Sequence, residues 1–181
     1  NIRALVTRIR EMRRNIASYE ANQTSVTIAA QHAPICSRFA DMALRAKSAY
    51  TGLSIRLRAG NLEECASIFL RGDASMVLCY EAEGARQLDF GEGVMRGRWG
   101  GDYLVPVVGG ALRYVVRADG SIPETTPAVA YPEESYFGQV LYRGDRAFGT
   151  PSYSANPVCV TAFSSGTLEL VLKGLGVGWV P

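Results

Sequence analysis

Histidine is nearly absent from this chain and cysteine is sparse. His32 stands alone, and Cys36, Cys65, Cys79 and Cys159 form neither a CxxC pair nor a cluster with it. That argues against a zinc site, against a Ser/His/Asp arrangement placed by spacing, and against a disulfide framework at this length and density. A strong excess of one charge is also missing, since 19 Lys and Arg stand against 17 Asp and Glu, a net charge of +2. The small excess is local: the first fourteen residues hold Arg3, Arg8, Arg10, Arg13 and Arg14 against Glu11 alone. Beyond them no basic face for nucleic acid is evident. No apolar run reaches the ~18 residues of a membrane span and no signal-peptide pattern is present. The sequence therefore predicts a soluble, cytoplasmic protein with no membrane partner. What is there is an ordinary globular composition of 181 residues, 48% hydrophobic, enough for one core or two small ones.

The N-terminal segment reads as a separate unit, residues 1–22. Ile2, Leu5, Ile9, Met12, Ile16 and Tyr19 alternate at spacings of three and four, the a/d pattern of a coiled-coil seam, with arginines on the flanks. Two readings fit: an amphipathic helix lying on its own domain, or a dimerisation helix. Ala21-Asn22-Gln23-Thr24-Ser25 then breaks the periodicity as a linker does.

From Val26 the pattern alternates between strand and helix. Val26–Ala30 predicts a strand, Pro34–Arg45 a helix with Pro34 in its first turn, and Leu53–Arg58 a strand with Leu53, Ile55 and Leu57 inward. Asn61 is placed to cap a helix over Leu62–Leu70, with Glu63 and Glu64 where the helix dipole favours negative charge. Gly72-Asp73 ends that helix, and Ser75–Tyr80 reads as a short strand. This is a βαβ pattern, which implies a parallel sheet with any ligand at the C-terminal strand ends, near Gln31, His32, Ala33, Asn61 and Tyr80.

The region 81–101 reads as a loop or irregular strand, Asp102–Val108 as a strand whose Pro106 argues for an edge or a bend, and Leu112–Val116 as a short helix or strand. Gly120–Pro127 is a turn-rich connector, Ala128–Tyr131 a strand, and Pro132–Tyr136 the head of a helix running to about Arg143. Val158–Phe163 is a further strand. Thr161–Thr167 opens a closing helix in which Ser165 or Thr167 can cap the first turn, while Glu169 and Lys173 suit the dipole. Gly174 is expected to take the left-handed conformation that ends it, before a strand reaching Pro181. The expected fold class is α/β: two α/β subdomains, residues 26–84 and 85–181, with a ligand cleft between them, behind a long N-terminal helix. A chain that stops on a strand is expected to be a piece of a larger domain, with a return strand and helix still to come.

The order of these elements resembles the LysR-type transcriptional regulators over essentially the whole chain. The residues that carry the likeness are Thr27-Ile28-Ala29-Ala30, Gly60-Asn61 before a helix, Leu70-Arg71-Gly72-Asp73 before a strand, and Leu168 to Pro181 as helix, glycine turn and closing strand. Ala130–Gly138, Ala162–Ser165 and Trp179-Val180-Pro181 are similar to the hypochlorite-responsive branch. Ile28-Ala29-Ala30-Gln31-His32 is similar to a turn that holds an anion in the cysteine-biosynthesis branch. The chain departs from the family at Ser75-Met76-Val77, where an aspartate often precedes the hydrophobic pair. The resemblance implies the fold of type 2 periplasmic binding proteins, a homo-oligomer (dimer or tetramer), and a small-molecule effector. It also implies DNA contact through a winged helix-turn-helix that would precede Asn1.

Backbone N–H groups at the helix starts near Pro34, Asn61, Pro132 and Ser164 can hold a small anion. Gln31, Asn61, Ser135 and Ser164 add hydrogen bonds, while Tyr80, Tyr131, Tyr136 and Phe163 can wall an apolar effector. Each of these residues also fits a plain role as cap or packing, and His32 fits either an anion ligand or a structural hydrogen bond. Cys36 and Cys79 are candidate redox residues and methionines are candidates through sulfoxide, whereas Cys65 and Cys159 read as core. A solute-binding protein of the same fold remains open, and nothing implies a cofactor, a metal or an enzyme, since the pairs Glu63-Glu64 and Glu133-Glu134 suit helix starts.

Overall fold

The computed structural model describes residue 6, residues 9, 10, 12 and 13, and residues 24–82, 88–141 and 157–181. The chain divides into two units, Asn1–Tyr80 and Glu81–Pro181. Of the seam residues read from the sequence, Ile2, Leu5, Ile16 and Tyr19 lie outside the described residues. Ile9 and Met12 are helical and exposed.

Unit 1 is a three-stranded parallel sheet in the order β2-β1-β3. Strand β1 spans Thr24–Gln31 and β2 Leu53–Gly60, each longer than the apolar residues alone suggest, because the ladder continues from Thr24↔Leu53 to Gln31↔Gly60. Between them α1 runs as a first turn His32–Pro34, a π-helical turn Ile35–Phe39 and an α-helical body Ala40–Ala49. Pro34 is tolerated there because an N–H in the first turn has no intrahelical acceptor to lose. Helix α2, Leu62–Leu70, returns the chain to β3, Met76–Leu78. The expected strand over Ser75–Tyr80 is thus cut at both ends. Ser75 N–H still donates to Thr27 O at 2.9 Å, but Tyr80 N–H leaves the ladder for a side chain.

The two sheet faces carry separate cores. On one, Ile28, Ala30 and Phe39 are buried with Val26, Ile35, Met42, Ala43, Ile55 and Leu78 around them. On the other, Ala29, Cys65, Ile68 and Ala74 pack with Val77. Alternation along β1 assigns successive side chains to opposite faces, so a strand covered by helices on both sides reads as continuously apolar. Leu57, expected inward, is instead 38% exposed. Among the described residues β2 has a neighbour on one side only, so its outer residues meet solvent.

Helix α2 ends as the sequence implies. Gly72 takes φ +73°, Gly72 N–H donates to Phe69 O at 2.8 Å and Asp73 N–H to Ile68 O at 3.0 Å. This paired pattern satisfies carbonyls that a helix end otherwise leaves open.

In unit 2, residues 88–104 carry no regular element, and β4, Val105–Val107, is shorter than the expected Asp102–Val108. It pairs antiparallel with β7, Gly178–Val180, and Pro106 is tolerated because among the described residues β4 has that one neighbour. A 3₁₀ helix follows at Gly110–Val115. Strands β5, Ala128–Ala130, and β6, Pro157–Val160, pair in parallel, and Ala128 bridges Val177 in parallel just before β7. The β5-to-β6 connection contains α3, described over residues 136–141; Arg143, the expected end of that helix, lies outside the described residues. Ile122, Ala128 and Val177 form a buried cluster against Val108.

Helix α4, Ser164–Leu172, corrects one expectation and meets another. Its N-cap is Phe163 and no side chain caps it, so neither Ser165 nor Thr167 has the capping role. Thr167 is fully buried against β7, where even a methyl on Gly178 would stand 2.6 Å from its Cγ2, and its hydroxyl donates back to Phe163 O at 3.3 Å. At the other end Gly174 adopts φ +80°, with Gly174 N–H donating to Val171 O and Leu175 N–H to Leu170 O.

Candidate functional site

The parallel sheet of unit 1 collects five candidates at one edge. Gln31 ends β1, His32 and Ala33 open α1, Asn61 follows the last residue of β2, and Tyr80 lies just past β3. Gln31 and Gly60 are register partners, so the ends of β1 and β2 are adjacent. Gln31 is 6% exposed, and its Oε1 accepts the backbone N–H of Tyr80 at 2.7 Å. Ala33 is buried, His32 and Tyr80 are half-buried, and Asn61 is exposed.

The helix starts are not equivalent, and their caps sort them. At α2, Asn61 Oδ1 accepts Glu64 N–H at 2.8 Å while Glu64 Oε2 accepts Asn61 N–H at 2.9 Å, a reciprocal capping box. Asn61 is therefore engaged as a cap, and a ligand there competes with an internal oxygen. The Asn-x-x-Glu spacing is the sequence signal for Glu64, whose part was otherwise read as dipole compensation alone. At the head of α3, Ser135 Oγ donates to Pro132 O at 2.7 Å and accepts Gly138 N–H at 3.1 Å, so that hydroxyl is also occupied locally. By contrast α1 begins after Gln31 and α4 after Phe163, both without a side-chain cap. At α1 the first turn includes Pro34, which has no N–H, so that start offers fewer backbone donors than α4 does.

In unit 2 the remaining candidates gather at the ends of β5 and β6, which stay side by side where Thr161 N–H donates to Ala130 O at 3.0 Å. Tyr131 is buried, its hydroxyl donates to Trp179 O at 2.9 Å, and its ring lies 5.4 Å from that of Phe137. Burial pushes its phenol pKa above the ordinary value. Tyr136 stacks edge-on with Phe137 at 5.5 Å. Ser164 is buried at the first position of α4, while Phe163 before it is about half exposed. Tyr131 thus serves the packing of its own unit, whereas Phe163 and Ser164 flank the uncapped start.

The cysteines separate by burial. Cys65 is fully buried beneath α2, and burial, with the adjacent Glu64 charge, raises its thiol pKa against a smaller opposing effect from Gly60. Cys36 is exposed on the π-helical turn, and Cys79 and Cys159 are half-buried. Among the described residues no helix is long and apolar enough to cross a membrane.

No family model matches the chain, and no curated protein sequence does. Solved structures do. The bromide-bound regulatory domain of HypT from Salmonella typhimurium matches with a TM-score of 0.62 at 20% identity, over 87% of this chain and 70% of that one. The effector-binding domain of QuiR in complex with shikimate gives 0.62 at 9% identity, over 88% of this chain and 74% of that one. VV2_1132, a LysR family transcriptional regulator, gives 0.67 at 18% identity, over 98% of this chain but 57% of that one. The chain has the mixed α/β, periplasmic-binding-protein-like fold of the effector-binding domains of LysR-type transcriptional regulators.

Proposed function

We propose that this chain is the effector-sensing and oligomerising part of a LysR-type DNA-binding transcriptional regulator, and that it binds a small anion or carboxylate rather than catalysing a reaction. One observation carries the reading: α1 starts without a side-chain cap directly after the buried Gln31, at the C-terminal edge of a parallel sheet. Such an edge supplies backbone N–H donors and an amide in one place. The uncapped start of α4, with Ser164, offers a similar set of donors in unit 2. Bromide and shikimate, held by the HypT and QuiR domains, are both of the expected anionic class.

The oligomer is assigned to the N-terminal helix, with Ile9 and Met12 exposed on it. The DNA-binding head belongs before Asn1, and the site of action is the cytoplasm. A thermal-shift titration with sodium shikimate, acetate and bromide tests the effector reading, because a ligand selective for the folded state raises Tm with concentration. A rise that disappears in Gln31→Ala supports it, and a rise equal in both chains rejects this edge as the site. Ile9→Asp is expected to turn an oligomer into a monomer by sedimentation, and an unchanged mass rejects the assignment of that helix.

An oxidant-sensing reading is favoured at one point, the exposed Cys36 on the π-helical turn. Hypochlorite treatment followed by mass mapping, with Cys36→Ser and Met76→Ile in a reporter assay, tests it. Undiminished induction in both variants removes those residues.

A further inference from the structure

Helix α4 opens without any of the groups that close α2. At α2 the Asn61 side chain takes a first-turn N–H, and Glu63 and Glu64 place negative charge on that turn. At α4 no side chain caps the start and the first turn holds no acidic residue. Its first ladder bond is Thr167 N–H to Phe163 O at 2.9 Å, so the N–H groups of Ser164, Ser165 and Gly166 lie ahead of the ladder, and among the described residues none has a protein acceptor. With a helix of nine residues behind them, these donors sit at the positive end of its dipole.

A side chain adds to them. Ser164 is 8% exposed, and among the described residues its hydroxyl makes no hydrogen bond. No side-chain oxygen sealed from solvent lacks a partner there, so the part of Ser164 that stays open includes its Oγ. A residue that is otherwise buried thus turns an unpartnered hydroxyl outward at the first position of the helix. Thr161 lies against the same turn: its Oγ1 accepts Phe163 N–H at 3.4 Å and would stand 3.2 Å from a Cβ on Gly166. Gly166 brings no such Cβ, and the Thr161 hydroxyl keeps its proton for another acceptor. The turn itself is held by Thr167, fully buried, which gives both its N–H and its hydroxyl to Phe163 O, at 2.9 and 3.3 Å. Donors fixed in this way need little reordering when an acceptor arrives.

Resting on the effector reading above, we propose that the start of α4 is a carboxylate site complete within unit 2, formed by the Ser164 and Thr161 hydroxyls and the N–H groups of Ser165 and Gly166. A carboxylate offers two acceptor oxygens and a negative charge, which suits hydroxyl and N–H donors gathered at one helix start. A halide offers a single centre and reaches fewer of them. The bound charge stands where α2 carries Glu63 and Glu64.

Two variants act on the site in different ways. Ser164→Ala removes the hydroxyl and leaves the backbone donors. Phe163→Asp installs a cap: Phe163 already has the extended conformation of an N-cap, φ −105° and ψ 122°, so a carboxylate on that side chain takes the first-turn N–H groups for itself. In the full 181-residue chain, nitrogen-15 NMR reads the Ser165 and Gly166 amides, with Ala33 and Asn61 for unit 1, while sodium acetate or sodium bromide is added at constant ionic strength. In the wild type the Ser165 and Gly166 signals are expected to move with one dissociation constant, about tenfold tighter for acetate than for bromide. Ser164→Ala is expected to weaken acetate binding about tenfold, from loss of one hydrogen bond to a charged group. Phe163→Asp is expected to abolish the response while the amides of α4 exchange as slowly as in the wild type or more slowly, with Val171 as the control for folding in both variants.

If Ser164→Ala and Phe163→Asp both bind acetate as the wild type does, or if acetate moves only the unit 1 amides, the α4 site is overturned while the effector reading stands. If bromide binds as tightly as acetate, the assignment to carboxylates is overturned. If neither probe moves an amide in either unit, the effector reading fails together with the site.

Discussion

Asn61 offers a perturbation in which stability and binding are expected to move in different directions. Its Oδ1 takes the Glu64 N–H and its own N–H goes to Glu64 Oε2, both bonds in an exposed setting. Asn61→Ala deletes the acceptor, and because water replaces it the loss is that of a helix cap, about 1 kcal/mol. With a urea slope of ~2 kcal/mol per M, the unfolding midpoint should fall by about 0.5 M. Glu64→Ala removes the weaker half of the box, about 0.5 kcal/mol, and the double variant should cost less than the sum because the two bonds share one geometry. Asn61→Asp keeps the oxygen and adds negative charge beside the helix N-terminus, so it should match the wild type or exceed it by up to about 0.5 kcal/mol. The same charge sits next to the proposed anion edge and should weaken anion binding about tenfold or more. Both tryptophans, Trp99 and Trp179, belong to unit 2, so fluorescence follows that unit. Amide exchange across α2 is the assay for unit 1. An Asn61→Ala chain with unchanged α2 exchange would refute the cap, and an Asp chain that binds acetate as well as the wild type would refute the anion edge beside it.

Three further outcomes follow from packing and ionisation. Gly109→Ala should destabilise by about 1–3 kcal/mol through overpacking, since a Cβ there stands 2.5 Å from Val171 O and 2.9 Å from Leu172 Cα; a melting temperature equal to wild type would contradict that close approach. Tyr131→Phe should cost about 1 kcal/mol through the lost bond to Trp179 O. Because burial raises the Tyr131 pKa above its ordinary 10.0, its neutral form supports the fold fully below that pH, and the support is lost as pH rises through the folded value. Urea midpoints should therefore fall more steeply above pH 10.0 in the wild type than in Tyr131→Phe, and parallel slopes would count against this. In the native chain a thiol reagent should label the exposed Cys36 well before the buried Cys65; peptide mapping that finds Cys65 first would place it outside the core.

What was legible in the sequence is what local chemistry decides. Asn61, Glu63, Gly72 and Gly174 act within one helical turn of themselves, and their spacing alone predicts α2 and both glycine stops. Strand identity along β1 and β2 follows from β-branched and apolar runs. What was not legible depends on partners far along the chain. Leu57 fits an inward pattern, but its exposure is set by β2 having, among the described residues, a neighbour on one side only. The shortening of the third strand follows from Gln31 taking the Tyr80 N–H, a pairing that no window around either residue contains. At α4, Ser165 and Thr167 have good capping chemistry, yet Thr167 is fully buried against β7, and tertiary packing overrides the local preference. Of the candidate site, the strand-end grouping in unit 1 was readable from βαβ order. The difference between capped and uncapped helix starts required the hydrogen bonds.

The two glycine stops share a metre. Helices α2 and α4 have nine residues each, and in each the residue after the last helical one is basic, Arg71 at φ −77°, ψ −4° and Lys173 at φ −78°, ψ −4°. The glycine comes next, and the strand begins four residues after it, at Met76 and at Gly178. Beyond the base and the glycine the two turns have nothing in common, Asp73-Ala74-Ser75 in one and Leu175-Gly176-Val177 in the other. The passage from helix to strand is thus specified by a count and a single left-handed position, while the residues between are fitted to each unit's own core, with Ala74 buried in one and Val177 in the other. Adding or removing one residue between the glycine and the strand would shift the strand by a residue and turn its side chains to the opposite face.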